Sequence, residues 1–128
     1  MVYYLFLDDL RYPHTTTHVS LPMHSYTVVR SYKEFCDIIT LRGLPKYVTF
    51  DHDLSDTHYQ HIDGDIPYEQ FTEKTGYDCA KWLVDYCIER DLPLPDYHCH
   101  SMNPVGKINI LSILDSYRRM YKIKQYGR

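Results

Sequence analysis

Three apolar runs in this chain end on groups that bind metals, protons or phosphate. VYYLFL (2–7) runs into Asp8-Asp9, with Arg11 just beyond. YVTF (47–50) runs into Asp51-His52-Asp53. DYHCH (96–100) carries His98 and His100, and Ser101 and Asn103-Pro104 follow. Carboxylates gathered on one edge repel one another and raise one another's pKa. A hard divalent cation such as Mg2+ or Mn2+ relieves that repulsion, and histidines beside it also admit Fe2+ or Zn2+. Asn103 before a proline is a helix start. The free backbone N–H groups from Asn103 to Gly106 and the positive end of the helix dipole then form an anion site that suits phosphate. Arg11 and Lys107 add positive charge. A cation beside an anion pocket is the arrangement that phosphoryl or phosphodiester chemistry uses.

Each feature also has a plainer reading. Paired acids at a strand end often cap turns. Ser101 and Asn103 serve equally as caps, and Cys99 as core. His58 and His61, in a long loop, read as solvated. His98 and His100 either face opposite ways or place only one residue at the edge, so one of them reads as a packed histidine. Three strand ends converging on compatible chemistry favours a site over three separate coincidences.

That convergence requires the elements to bring the ends together. Residues 2–7 suit a strand covered on both faces. Residues 10–24, with two prolines, three consecutive threonines and His14, His18 and His24, read as loop. SYTVVR (25–30) is a second strand. Ser31 then caps a helix, with Glu34 reaching back and Phe35, Ile38, Ile39 and Leu41 as its apolar stripe, ending at Gly43. Residues 47–50 are the third strand. Residues 54–74 form a long loop with a short helix near Tyr68 to Phe71, and loops of this length in small domains are usually functional. Thr75 and Asp78 cap a helix that buries Cys79, Ala80, Leu83, Val84 and Cys87 and ends near Arg90. Residues 96–100 are the fourth strand. The last helix starts at Asn103-Pro104 and buries Ile108, Ile110, Leu111, Leu114, Tyr117 and Tyr121. A basic tail, 122–128, frays. This order predicts a small α/β fold with a mostly parallel sheet of about four strands in flavodoxin-like order 2-1-3-4. Ligands bind such sheets outside the carboxyl ends of the strands.

The chain has 128 residues, enough for one domain with a real core. Its net charge of −3 argues against binding double-stranded nucleic acid through the phosphate backbone. No apolar run is long enough to span a membrane. MVYYLFLDDL meets acids too soon for a signal peptide. The four cysteines form no CxxC pair and read as reduced thiols of a cytoplasmic protein.

LFLDDLRYP, FDHDL, TGYDCAKWLVDYC and HSMNPVGKINI, in this order, resemble the cyclic-phosphate-processing receiver domains of phages and bacteria. The resemblance runs from about Tyr4 to Leu114. It implies a three-layer receiver-like fold related to response-regulator receivers, with a role in processing cyclic or terminal phosphates on nucleotides in the host cytoplasm. On the receiver pattern Asp8 and Asp9 match the acidic pair that holds Mg2+. Asp51 matches the phospho-accepting aspartate, and Ser101 lies near the hydroxyl position that ends the fourth strand. A fifth strand with its lysine and a clear first helix are missing, which argues against a phosphorelay switch.

The combined expectation is a metal-dependent phosphoesterase acting on a small nucleotide. Asp8, Asp9 and Asp51 hold Mg2+ or Mn2+. Asp53 or His52 acts as general base, or Asp51 as nucleophile. Arg11 offsets charge in the transition state. His100, Ser101, Asn103, Gly106 and Lys107 bind phosphate. The alternative is a module that binds or sequesters a nucleotide signal without turning it over.

Overall fold

The computed structural model describes residues 2–55, 66–71 and 74–126. His58 and His61 lie outside the described residues, as do the middle of the long loop and the last two residues of the tail. Four parallel strands, β1 (Tyr4–Leu7), β2 (Tyr26–Val29), β3 (Tyr47–Phe50) and β4 (Asp96–Cys99), form one sheet in the order β2-β1-β3-β4. This is the predicted order, and the architecture is a small receiver-like α/β fold.

The helices start and stop where the backbone chemistry dictates. In α1 (Tyr32–Arg42) the Ser31 side chain accepts from the Glu34 N–H. The Glu34 carboxylate reaches one residue further back than a capping box requires, accepting from the Arg30 N–H at 2.8 Å. The helix ends at Gly43, whose φ of +84° is a conformation that side-chain-bearing residues avoid. In α2 (Gly76–Arg90) Thr75 and Asp78 form a reciprocal capping box. In α3 (Pro104–Tyr126) the Asn103 Oδ1 accepts from the Gly106 N–H at 3.0 Å. A short 3-10 turn, Tyr68–Gln70, stands where a short helix is expected in the long loop.

Three expectations are corrected here. Leu41 and Ile108 are exposed, because the stripes of α1 and α3 are narrower than read: Phe35 and Ile39 carry α1, and Ile110 and Leu114 carry α3. The tail does not fray at Lys122. Helix α3 continues to Tyr126, and Lys124 Nζ reaches the Asp91 carboxylate at the end of α2 at 2.8 Å. His98 and His100, two residues apart, lie on the same side of the sheet rather than on opposite sides.

The two sheet faces differ. Leu5, Leu7, Val29, Val48, Phe50 and Cys99 form one core with residues from α1, α2 and α3. The alternate residues Tyr4, Phe6, Tyr26 and Tyr47 make ring contacts with one another on the other face. Among the described residues that face is covered by irregular chain and not by α-helices: His24 stacks on Tyr4 with centroids 3.7 Å apart, and His18 Nε2 contacts the His100 carbonyl. The third layer of the receiver plan is thus segment 10–24, which contains one 3-10 turn, Pro13–Thr15.

Candidate functional site

The strand register aligns the site. Leu7 lies opposite Val29 and Phe50, and Phe50 opposite Cys99. One residue further on, Asp8, Arg30, Asp51 and His100 form the next row across the sheet. Backbone bonds extend the ladder into it, from Asp8 N–H to Val29 O, Asp51 N–H to Leu7 O and His100 N–H to Phe50 O. Asp8, Asp51 and His100 are all buried, and one ligand atom from each lies within 4.8 Å of the others. Asp9, one residue out of phase, does not belong to this trio. Its negative charge still reaches Asp51.

Asp8 is held on all sides. Its Oδ1 accepts from the Leu10 and Arg11 N–H groups at 2.9 and 2.8 Å. Its Oδ2 meets His100 Nε2 at 3.0 Å and Arg11 Nη1 at 3.6 Å. Burial opposes its charge, but the bonds from His100, Arg11 and Leu10 outweigh burial and hold the carboxyl below its usual range. His100 is lowered too, because burial disfavours the imidazolium more than Asp8 favours it. The pair is therefore a carboxylate and a neutral imidazole.

The other ring nitrogen, Nδ1, lies 2.9 Å from Thr49 Oγ1, and Phe6 stacks on the ring with centroids 4.6 Å apart. A threonine hydroxyl can donate or accept. Thr49 thus suits either tautomer of His100, including the one that frees Nε2 to act as a metal ligand.

Asp51 is the strained member. Its Oδ1 accepts from the His52 N–H at 2.9 Å, whereas its buried Oδ2 has no hydrogen-bond partner. Burial first, then the charges of Asp8, Asp53 and Asp9, push its pKa up to about 8. Buried polar atoms are rarely left unpaired. Two carboxylates and an imidazole around one orphaned oxygen fit a divalent cation with mixed oxygen and nitrogen ligands.

The remaining expected residues sort differently. His52 is buried and both ring nitrogens are engaged, Nδ1 with Asp53 Oδ1 and Nε2 with the Tyr68 hydroxyl, each at 2.8 Å. A Cβ on Gly106 would lie 2.3 Å from the ring, so only glycine lets α3 approach His52 this closely. Asp53 also accepts from Asn103 Nδ2 at 3.3 Å, and the Asn109 amide donates to Tyr68 at 2.9 Å. Neither His52 nor Asp53 stands free as a general base; both belong to a buried network that ties the end of β3 to α3.

The phosphate expectation at the start of α3 changes as well. The Gly106 N–H caps onto Asn103 Oδ1, and the Lys107 N–H bonds the Asn103 carbonyl at 2.9 Å. Lys107 acts electrostatically on His98 and Cys99. Ser101 Oγ accepts from the Asn103 N–H at 3.1 Å. Arg11 remains partly exposed over the trio, with Nη2 3.3 Å from Met102 Sδ. His98 lies one step back in the strand and is half-buried, and its buried Nε2 has no hydrogen-bond partner among the described residues.

Sequence reading passed over Thr49, Tyr68 and Arg30. Arg30 Nη1 donates to the Asp8 and Arg11 carbonyls at 3.0 and 2.6 Å, fixing the turn that carries the site. Its place in the row was available from strand alternation; those of Thr49 and Tyr68 depend on tertiary contacts.

The model of the cyclic-phosphate processing receiver domain family matches residues 3–116. The chain belongs to that family. As a receiver domain it is involved in cyclic-phosphate processing, and its buried Asp8-Asp51-His100 cluster could hold a metal ion. No curated protein and no solved structure matches it. Among the described residues no helix is long and apolar enough to cross a membrane.

Proposed function

We propose that this receiver domain is a metal-dependent phosphoesterase that acts on a small nucleotide, one with a cyclic phosphate fitting best. The observation that carries this reading is the trio itself: Asp8, Asp51 and His100 converge on one point, and Asp51 Oδ2 is buried there without a partner. These three residues would hold the cation, and their mixed donor set favours Mn2+ over Mg2+. When bound, the cation supplies charge neutralisation and Lewis acidity toward a phosphoryl oxygen.

The chain's own residues do the rest. Arg11, anchored beside Asp8 and still partly exposed, meets the phosphate oxygens and offsets charge that grows in the transition state. The Ser101 hydroxyl keeps its own proton to donate, because Oγ accepts from the Asn103 N–H. His52, Asp53 and Asn103 are positioning residues that fix the chain after Asp51.

A second reading, a module that binds the nucleotide without hydrolysis, is favoured by one observation. Both general-base candidates, His52 and Asp53, are engaged in buried hydrogen bonds.

The test is incubation with 2′,3′-cyclic, 3′,5′-cyclic and cyclic oligonucleotides plus Mn2+ or Mg2+, followed by mass spectrometry. An opened or dephosphorylated product that disappears in Asp51→Asn supports the phosphoesterase. Intact nucleotide recovered tightly bound to the protein supports the binding module. Neither ligand nor any cation-dependent rise in melting temperature would reject both.

A further inference from the structure

We propose that the cavity between segment 12–24 and β2 is the nucleobase subsite of this domain. The inference rests on the reading above, that a nucleotide phosphate lies at Asp8, Asp51 and His100. The cavity holds about 470 Å3, within the range of small-molecule sites. Its walls include Tyr12, His14, Leu21, Met23, Tyr26 and Val28.

Position is the first argument. Tyr26 and Val28 project from the sheet face opposite the helical core, the same side on which Asp8, Asp51 and His100 lie one row beyond the strands. Phe6 connects the two places: its ring meets Tyr26 edge-on at 6.2 Å and stacks on His100 at 4.6 Å. Tyr12 follows Arg11 directly. One side chain, Phe6, therefore packs both against the cavity wall at Tyr26 and against His100 of the phosphate corner.

Chemistry is the second argument. A base needs flat, preordered surfaces more than specific donors, since every base has a π-face. Here the rings are already fixed. Tyr12 stacks with His14 at 5.6 Å, and the Arg30 guanidinium lies 4.5 Å from the Tyr12 centroid. The same guanidinium holds the Asp8 and Arg11 carbonyls, so one side chain orders both the ring wall and the turn bearing the carboxylate. Tyr26 is fixed by its hydroxyl donating to the Pro22 carbonyl at 2.9 Å. The exposed His14 imidazole at the rim offers a polar edge to a base.

The test uses two variants that fill the cavity. Val28→Trp plugs its floor. Met23→Trp narrows it from a fully exposed position and cannot disturb the core. Titration calorimetry in Mn2+ compares adenosine 2′,3′-cyclic phosphate with inorganic phosphate. Saturation-transfer NMR with adenosine and with uridine, free of divalent cation, reads the base alone.

The expected result is a loss of about tenfold or more in cyclic-nucleotide affinity, the worth of one stacked base, with phosphate affinity unchanged. Saturation transfer to nucleoside protons should appear in the natural protein and vanish in the variants. No transfer from either nucleoside overturns the inference, as does full nucleotide affinity in a folded, plugged variant. Nucleoside transfer without cation-dependent phosphate binding would instead keep the base site and reject the phosphoesterase.

Discussion

Asp51 carries one satisfied oxygen and one orphan, and both its stability and its ligand chemistry follow from that. Its folded pKa of about 8 lies above the ordinary value of 3.8, through burial and then the charges of Asp8, Asp53 and Asp9. The folded protein thus keeps a proton that the unfolded chain has released. The associated stabilisation is complete below the unfolded value and is lost as pH rises through about 8. In chelator, the melting temperature should therefore fall between pH 6 and pH 9. Asp51→Asn should flatten that slope and gain about 1–3 kcal/mol at the alkaline end, the cost of an unsatisfied buried group. A natural protein whose melting temperature stays level over this range would contradict the assignment. Cation should act in the opposite direction. At a hundred times its dissociation constant Mn2+ should stabilise the natural protein by about 2.7 kcal/mol and leave Asp51→Asn unmoved, as read by thermal shift.

Among the elements, two glycines let helices crowd the site. A Cβ on Gly76 would lie 1.8 Å from the Asp51 carbonyl oxygen and 3.0 Å from His52 Cα, both backbone atoms that cannot step aside. Gly106 does the same against the His52 ring. Gly43 differs: nothing stands within 4 Å of its Cβ position, and only its φ of +84° needs glycine. Gly43→Ala should cost about 1–3 kcal/mol of backbone strain in urea unfolding and leave the cation response intact. Gly76→Ala and Gly106→Ala should cost at least as much, from overpacking of about 1–3 kcal/mol or more, and should also weaken the cation-induced shift. An undiminished cation shift in both would mean that the helix starts do not position the trio. Thr75→Ala should remove about 1 kcal/mol by loss of the α2 cap, visible as a lower urea midpoint.

Across the described residues, one sheet face carries dense helical packing and the other is covered by irregular chain. β1 and β3 are the inner strands, flanked on both sides. Their amides should exchange slowest with deuterium, through global unfolding, while the edge strand β2 exchanges through smaller openings. Equal protection of β1 and β2 would show that segment 12–24 secures its face as firmly as the helices secure theirs. The family match ends at residue 116, while α3 runs on to Tyr126 and ties back to α2 through Lys124 and Asp91.

Strand starts, helix caps and the order of the sheet were legible because they depend on neighbouring residues. YVTF predicts β3, Ser31 and Thr75 predict their helices, and Gly43 predicts where α1 ends. Asp8 and Asp51 were likewise legible as partners, because each follows an apolar strand in a parallel sheet. Asp9 lies outside the group formed by Asp8, Asp51 and His100, although its charge still acts on Asp51. His100 passed from phosphate ligand to member of the trio, and His52 from candidate base to a packed ring. Both changes depend on residues distant in sequence, Thr49 and Asp8 for His100 and Gly106 and Tyr68 for His52. The sequence by itself determined which groups reach the carboxyl edge of the sheet. Only the tertiary structure decided which of them are consumed by hydrogen bonds and which oxygen is left free, because burial and pairing are properties of the packed chain.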